Sequence, residues 1–96
     1  MQHYLLERRI RDVHQRLVRA RQELAVLDEQ IAVVDEEAEE ARVRALVSET
    51  PLAAHEYTDV KRHADAMQRA RVSLQSLVDE LTRRRDDLLA RVGSGR

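Results

Sequence analysis

No cysteine occurs in the 96 residues, which excludes disulfides and thiolate metal sites and leaves the redox compartment unmarked. Phenylalanine and tryptophan are missing too, and the aromatic share of 2% is Tyr4 and Tyr57 alone. Beside 36% charged residues, that scarcity speaks against a compact globule with a thick core and for long solvated helices. Pro51 is the single proline, and Gly93 and Gly95 are the two glycines, so a single structural unit is expected, interrupted once. A long apolar run is absent as well. The chain turns to Glu7, Arg8 and Arg9 directly after Tyr4, Leu5 and Leu6, leaving neither a signal peptide nor a spanning segment, and a cytoplasmic protein without a membrane partner is expected. Lys61 is the only lysine against many arginines, a coding bias of GC-rich genomes that carries no functional meaning.

What the chain does have is a heptad repeat along nearly its whole length. Apolar positions step by four and three through Leu6, Ile10, Val13, Leu17, Ala20, Leu24, Leu27, Ile31, Val34, Ala38, Ala41 and Ala45. Past Ser48-Glu49-Thr50-Pro51 the stepping resumes at Ala53, Tyr57, Val60, Ala64, Met67, Arg71, Leu74, Val78, Leu81, Arg85, Leu88 and Val92. Such a seam is the signature of a coiled coil. The spacing predicts a helix over about 2–47, a turn over about 48–51, a helix over about 51–92 and a frayed tail at 93–96. Thr50 suits the N-cap of the second helix, and Pro51 its first position, where the missing N–H has no intrahelical partner to lose. So short a connection implies two helices lying side by side and antiparallel.

An antiparallel register requires paired seam positions to share a constant sum of residue numbers, and they do. Ala45 faces Ala53, Ala41 Tyr57, Ala38 Val60, Val34 Ala64, Ile31 Met67 and Leu27 Arg71; then Leu24 faces Leu74, Ala20 Val78, Leu17 Leu81, Val13 Arg85, Ile10 Leu88 and Leu6 Val92. At a rise of roughly 1.5 Å per residue the expected hairpin is about 65 to 70 Å long. The same register sets Asp35 near Lys61, Glu37 near His63 and Arg44 near Glu56, on flanks where interhelical ion pairs form. Toward the termini it brings Arg16 near Arg84 and Arg9 near Arg91, and it puts Ala70 and Leu77 where charge is expected.

Two helices bury only a narrow stripe, and several layers here are alanine while Arg71 and Arg85 interrupt the seam. A lone hairpin with such a core is marginal. Aliphatic residues off the seam offer a second contact: Val18, Val26, Val33, Leu46 and Val47 on the first helix, with Val72, Leu77 and Leu89 on the second. Scattered surface aliphatics also occur without any partner. The expected architecture is nevertheless all-α, a long antiparallel two-helix coiled-coil hairpin dimerising into a four-helix bundle, with Val18, Val26, Val33, Val72, Leu77 and Leu89 in the self-association surface. The seam arginines either lay their stems along the core and reach a neighbouring carboxylate or fix the register of association.

Charge is unevenly spread. Residues 1–21 and 78–96 carry 11 basic and 6 acidic side chains, whereas 22–77 carry 6 basic and 12 acidic. Arg8, Arg9, Arg16, Arg84 and Arg85 form a basic end, extended by Arg11, Arg19, Arg21 and Arg83; Asp28, Glu29, Asp35, Glu36, Glu37, Glu39 and Glu40 form an acidic run. Charge runs on helices are commonly solvated faces. Nucleic acid is the ligand a basic cluster suggests, but a net charge of −1 and two tyrosines give neither a positive field nor a stacking platform, so nucleic acid is not the expected partner. His55, Asp59 and His63 recur every four residues, and the register brings His63 toward Glu37 and Glu40, so these five are the candidates for a divalent metal. Histidines at helical spacing on a polar face are also ordinary solvated residues, and no metal or other cofactor is expected. Ser48, Ser73 and Ser76 lack a nucleophile elbow and no glycine-rich phosphate loop is present, so no catalytic residue is assigned and no enzyme is expected.

The segment Leu52-Ala53-Ala54-His55-Glu56-Tyr57 after the turn, on a hairpin with an acidic distal half, resembles the N-terminal coiled coil of bacterial Gre transcript-cleavage factors. Those hairpins enter the secondary channel of RNA polymerase and present acidic tip residues to its catalytic magnesium. Pro51 and Leu52 stand where the family's first acidic tip residue is sought, Glu49 and Glu56 are the nearby carboxylates, and the family's C-terminal globular domain has no counterpart in the chain. Two functional expectations follow. The first is a non-catalytic coiled-coil interaction protein, a homodimer that docks on a further protein partner. The alternative is a transcription regulator whose acidic-tipped hairpin binds RNA polymerase, as the resemblance implies, or whose basic end binds nucleic acid.

Overall fold

The computed structural model describes residues 2–94, with side chains from His3 onward. The fold is all-α, a helical hairpin of two long helices: α1 spans Gln2–Ser48 and α2 spans Pro51–Ser94, with no strand among the described residues. Alanine, leucine, arginine, glutamate and glutamine fill both helices, and α1 contains neither proline nor glycine, so local propensity and seam burial favour the same conformation. Neither helix is long and apolar enough to cross a membrane.

The connection is Glu49 and Thr50 alone. Glu49 has a φ of 51°, and its N–H donates to the Ala45 carbonyl at 3.2 Å, which closes α1 with a left-handed residue just past its last turn. Thr50 then caps α2. Its Oγ1 accepts from the Ala53 N–H at 3.2 Å, and its carbonyl accepts the first helical bond, from the Ala54 N–H at 3.1 Å. The turn expected over 48–51 is thus shorter, with Ser48 still helical and Pro51 already so. At the other end, the helix expected to stop near 92 continues through Gly93 to Ser94, whose hydroxyl donates to the Arg91 carbonyl at 3.2 Å. That bond serves one of the orphaned terminal carbonyls and extends the last turn. The rest of the expected tail, Gly95 and Arg96, lies outside the described residues.

The described residues form two compact units, 2–24 with 73–94 and 25–72. In the first, Leu17 and Leu81 are fully buried and pack in one cluster with Val13, Ala20 and Val78, flanked by half-buried Leu24, Leu74 and Leu88. In the second, which contains the turn, the buried residues are Ile31, Val34, Ala38, Ala41 and Ala64. Every seam position read from the four-three stepping is buried or half-buried, and among the described residues the only others so withdrawn are Gln75 and Thr82. Both neighbour the seam on α2. Thr82 donates its hydroxyl to the Val78 carbonyl at 2.8 Å, and the Gln75 amide donates to Asp79 at 3.1 Å.

Candidate functional site

Core and surface divide sharply, and no polar or charged residue is buried among the described residues. The seam arginines reach carboxylates. Arg71, placed by the repeat opposite Leu27, donates its Nε–H to Asp28, the residue after Leu27. Half-buried Arg85 sends its guanidinium to Asp86 at 3.2 Å, so it belongs to the seam more than to an open basic patch. Arg8, Arg9, Arg16 and Arg84 are exposed.

The interhelical pairs expected of the turn-side unit form differently. Lys61 lies close enough to Asp35 for that charge to help raise its pKa, but its ammonium bonds Asp65 on its own helix at 3.0 Å, the main cause of the rise. Neither Glu37 with His63 nor Arg44 with Glu56 forms a salt bridge; Arg42 instead grips Glu39 with two bonds, 2.6 and 3.0 Å long. Those bonds hold the Glu39 carboxyl below the usual carboxylate range and push the Arg42 guanidinium up. The physical reason is reach. Neighbours three or four apart on one helix sit about 5–6 Å apart at Cβ, whereas a flank pair must bridge two helices whose axes lie about 8–10 Å apart and immobilise two long side chains to do so.

The metal candidates separate in the same way. His55 meets Asp59, Nε2 to Oδ2 at 3.3 Å. No group of three or more His, Asp or Glu side chains among the described residues is arranged to hold a metal ion, so His63, Glu37 and Glu40 do not complete a site with that pair. The surface depressions are open. One in the turn-side unit, of about 200 Å³, is lined by Asp35, Ala38, Glu39, Arg42, Tyr57, Lys61 and Ala64; one in the other unit, of about 140 Å³, is lined by Arg16, Arg19, Ala20, Glu23, Leu77 and Leu81. Neither has the enclosed apolar walls of a small-molecule site.

Exposed aliphatic surface is the remaining feature. All six residues expected in a self-association surface stand in solvent: Val18, Val26, Val33, Val72, Leu77 and Leu89. Tyr4, Leu5, Val43, Leu46, Val47 and Leu52 join them, with Val47 at 79%. On α1 these residues share a side. With the seam as the inward face, Tyr4, Leu5, Val18, Val26, Val33, Val43, Leu46 and Val47 all fall at the heptad positions turned away from it, among Ala25 and Ala32. Leu52, Val72, Leu77 and Leu89 are instead distributed around α2. Tyr4, Leu5, Val43 and Leu52 escape a first reading because single surface apolars carry no signal until the seam gives each helix an inside.

Charge follows the two units. Residues 1–24 with 73–96 carry 11 basic and 7 acidic side chains, and 25–72 carry 6 basic and 11 acidic. Compared with known proteins, the chain matches no family model, no curated protein and no solved structure.

Proposed function

We propose that this chain is a non-catalytic interaction protein, an antiparallel two-helix coiled-coil hairpin that self-associates as a homodimeric four-helix bundle and offers its remaining surface to a protein partner. The observation that carries the reading is the exposed aliphatic side of α1, set beside a core whose turn-side half is largely alanine. A second layer of helices covers the first and thickens the second. The antiparallel register is supported by the packing of Leu17 and Ala20 in one cluster with Val78 and Leu81, by the Arg71–Asp28 bond and by the field of Asp35 at Lys61, all neighbours at nearly the same sum of residue numbers. Open depressions and the lack of any buried polar residue among those described support a role without catalysis.

Analytical ultracentrifugation tests it. A dimer at tens of micromolar, with a melting temperature that rises with concentration, is expected; a monomer with a concentration-independent melt overturns the bundle. The polymerase-channel alternative has its own support in Glu49 and Glu56, both exposed around the turn. It requires salt-sensitive capture of RNA polymerase or of DNA, and a pull-down that finds neither removes it.

A further inference from the structure

Exposed apolar residues on α1 are not only on one side; they are placed symmetrically along it. When α1 is laid against a second copy running the opposite way, with the two-fold axis between Ala25 and Val26, Tyr4 and Leu5 fall opposite Leu46 and Val47 of the other copy. Val18 falls opposite Ala32 and Val33, and Ala25 and Val26 fall opposite themselves. The charges follow the same reflection at one pair, since Arg11 falls opposite Glu40, while Arg8 falls opposite Val43. A face complementary to its own reversed copy is what a two-fold dimer requires.

From this we propose that the partner covering α1 is a second copy of the chain, docked antiparallel, so that the basic unit of each copy lies on the acidic unit of the other. The proposal rests on the self-association reading and specifies its face and direction. Charge excludes the opposite orientation. A parallel dimer about the same face sets Arg8 and Arg11 against themselves and stacks Glu36, Glu39 and Glu40 on their own copies, whereas the antiparallel one opposes a unit with 11 basic and 7 acidic side chains to one with 6 basic and 11 acidic. Like charges held together across an interface penalise the wrong arrangement, and opposite charges select the right one. Two pairs do not match: Asp12 falls opposite Glu39, which Arg42 already neutralises, and Arg8 falls opposite Val43. Apolar residues at both ends and at the centre of the face favour this register, because a slide by four residues opposes Leu5 to Arg42 in one direction, leaving only Tyr4 with Val43, and carries Tyr4 and Leu5 past Ser48, the end of α1, in the other.

The absence of native cysteine makes the test direct. Single variants Leu5→Cys and Val47→Cys are prepared in the full chain, mixed in equal amounts, equilibrated and mildly oxidised. The expected product is the mixed disulfide dimer, with little Leu5→Cys homodimer; each variant carries a single cysteine, so every disulfide joins two copies. A second arm reads the charges by sedimentation. Arg11→Glu and Glu40→Arg each weaken dimerisation roughly three- to tenfold, and the double variant regains most of that loss. Self-linkage of Leu5→Cys without the mixed product, or a tighter dimer from Arg11→Glu, overturns the antiparallel orientation. A sedimenting dimer that gives no disulfide and ignores the charge changes shows that another face is used and also overturns the proposal. A monomer in sedimentation defeats the self-association reading itself, an outcome distinct from these.

Discussion

Glu49 is the one non-glycine residue with positive φ among those described, and it sits just past the end of α1. A Cβ in the left-handed region costs roughly 1–2 kcal/mol, and its carboxylate stands near the negative end of a helix whose last turn holds no basic residue. Thr50 and Pro51 explain why the strain is tolerated: a side-chain cap and a proline at the first helical position start α2 at once, and one left-handed residue is what turns the chain between them. Replacing Glu49 with glycine should therefore raise stability by up to about 1 kcal/mol, the relief of strain being partly offset by the freer unfolded chain. Glu49→Val should do the opposite, because a β-branched residue fits that conformation worst. Thermal melts of both variants check this, and a stabilised valine variant would refute the strain argument.

At the scale of the helix, the seam was legible in the sequence because burial on a two-helix contact follows the four-three step. Leu6 to Ala45 and Ala53 to Val92 are withdrawn from solvent as the repeat predicts. The ion pairs were not legible. Lys61 and Arg42 have partners one turn away on their own helices, and a register alone does not say which of two nearby carboxylates a flexible side chain selects. Arg71 is the exception because it starts inside the seam, where its stem is held by packing and its guanidinium can turn only to the adjacent flank, where Asp28 waits. Both side chains remain substantially exposed, at 38% and 45%, so the pair should contribute modestly. A double-mutant cycle on Arg71→Ala and Asp28→Ala is expected to give a coupling of about 0.5 kcal/mol that shrinks in 1 M salt. Coupling near zero in low salt would mean that the arginine stem, and not the pair, contributes at this position.

The outer face of α1 could be read only after the seam defined an inside, which is why surplus aliphatics in the sequence gave candidate residues but no direction of docking. At the level of the molecule, the two units also differ in what they bury. One packs Leu17 and Leu81 fully, with Val13 and Val78; the other relies on Ala38, Ala41 and Ala64 beside Ile31 and Val34. A fully buried leucine contributes about 1.5–3 kcal/mol, and an alanine, which has one methyl, far less, so local openings should cost less in the turn-side unit. Native-state hydrogen exchange at low concentration should find amides of residues 38–45 and 57–64 exchanging at least several-fold faster than those of 13–20 and 78–85. If a second copy covers α1, the thin unit gains most, and raising the protein concentration should narrow the gap. Leu17→Ala should close it from the other side, removing about 2–5 kcal/mol from the better packed unit. Uniform protection across both units at low concentration would show that the hairpin opens as one piece and that its alanine layers are not its weak half.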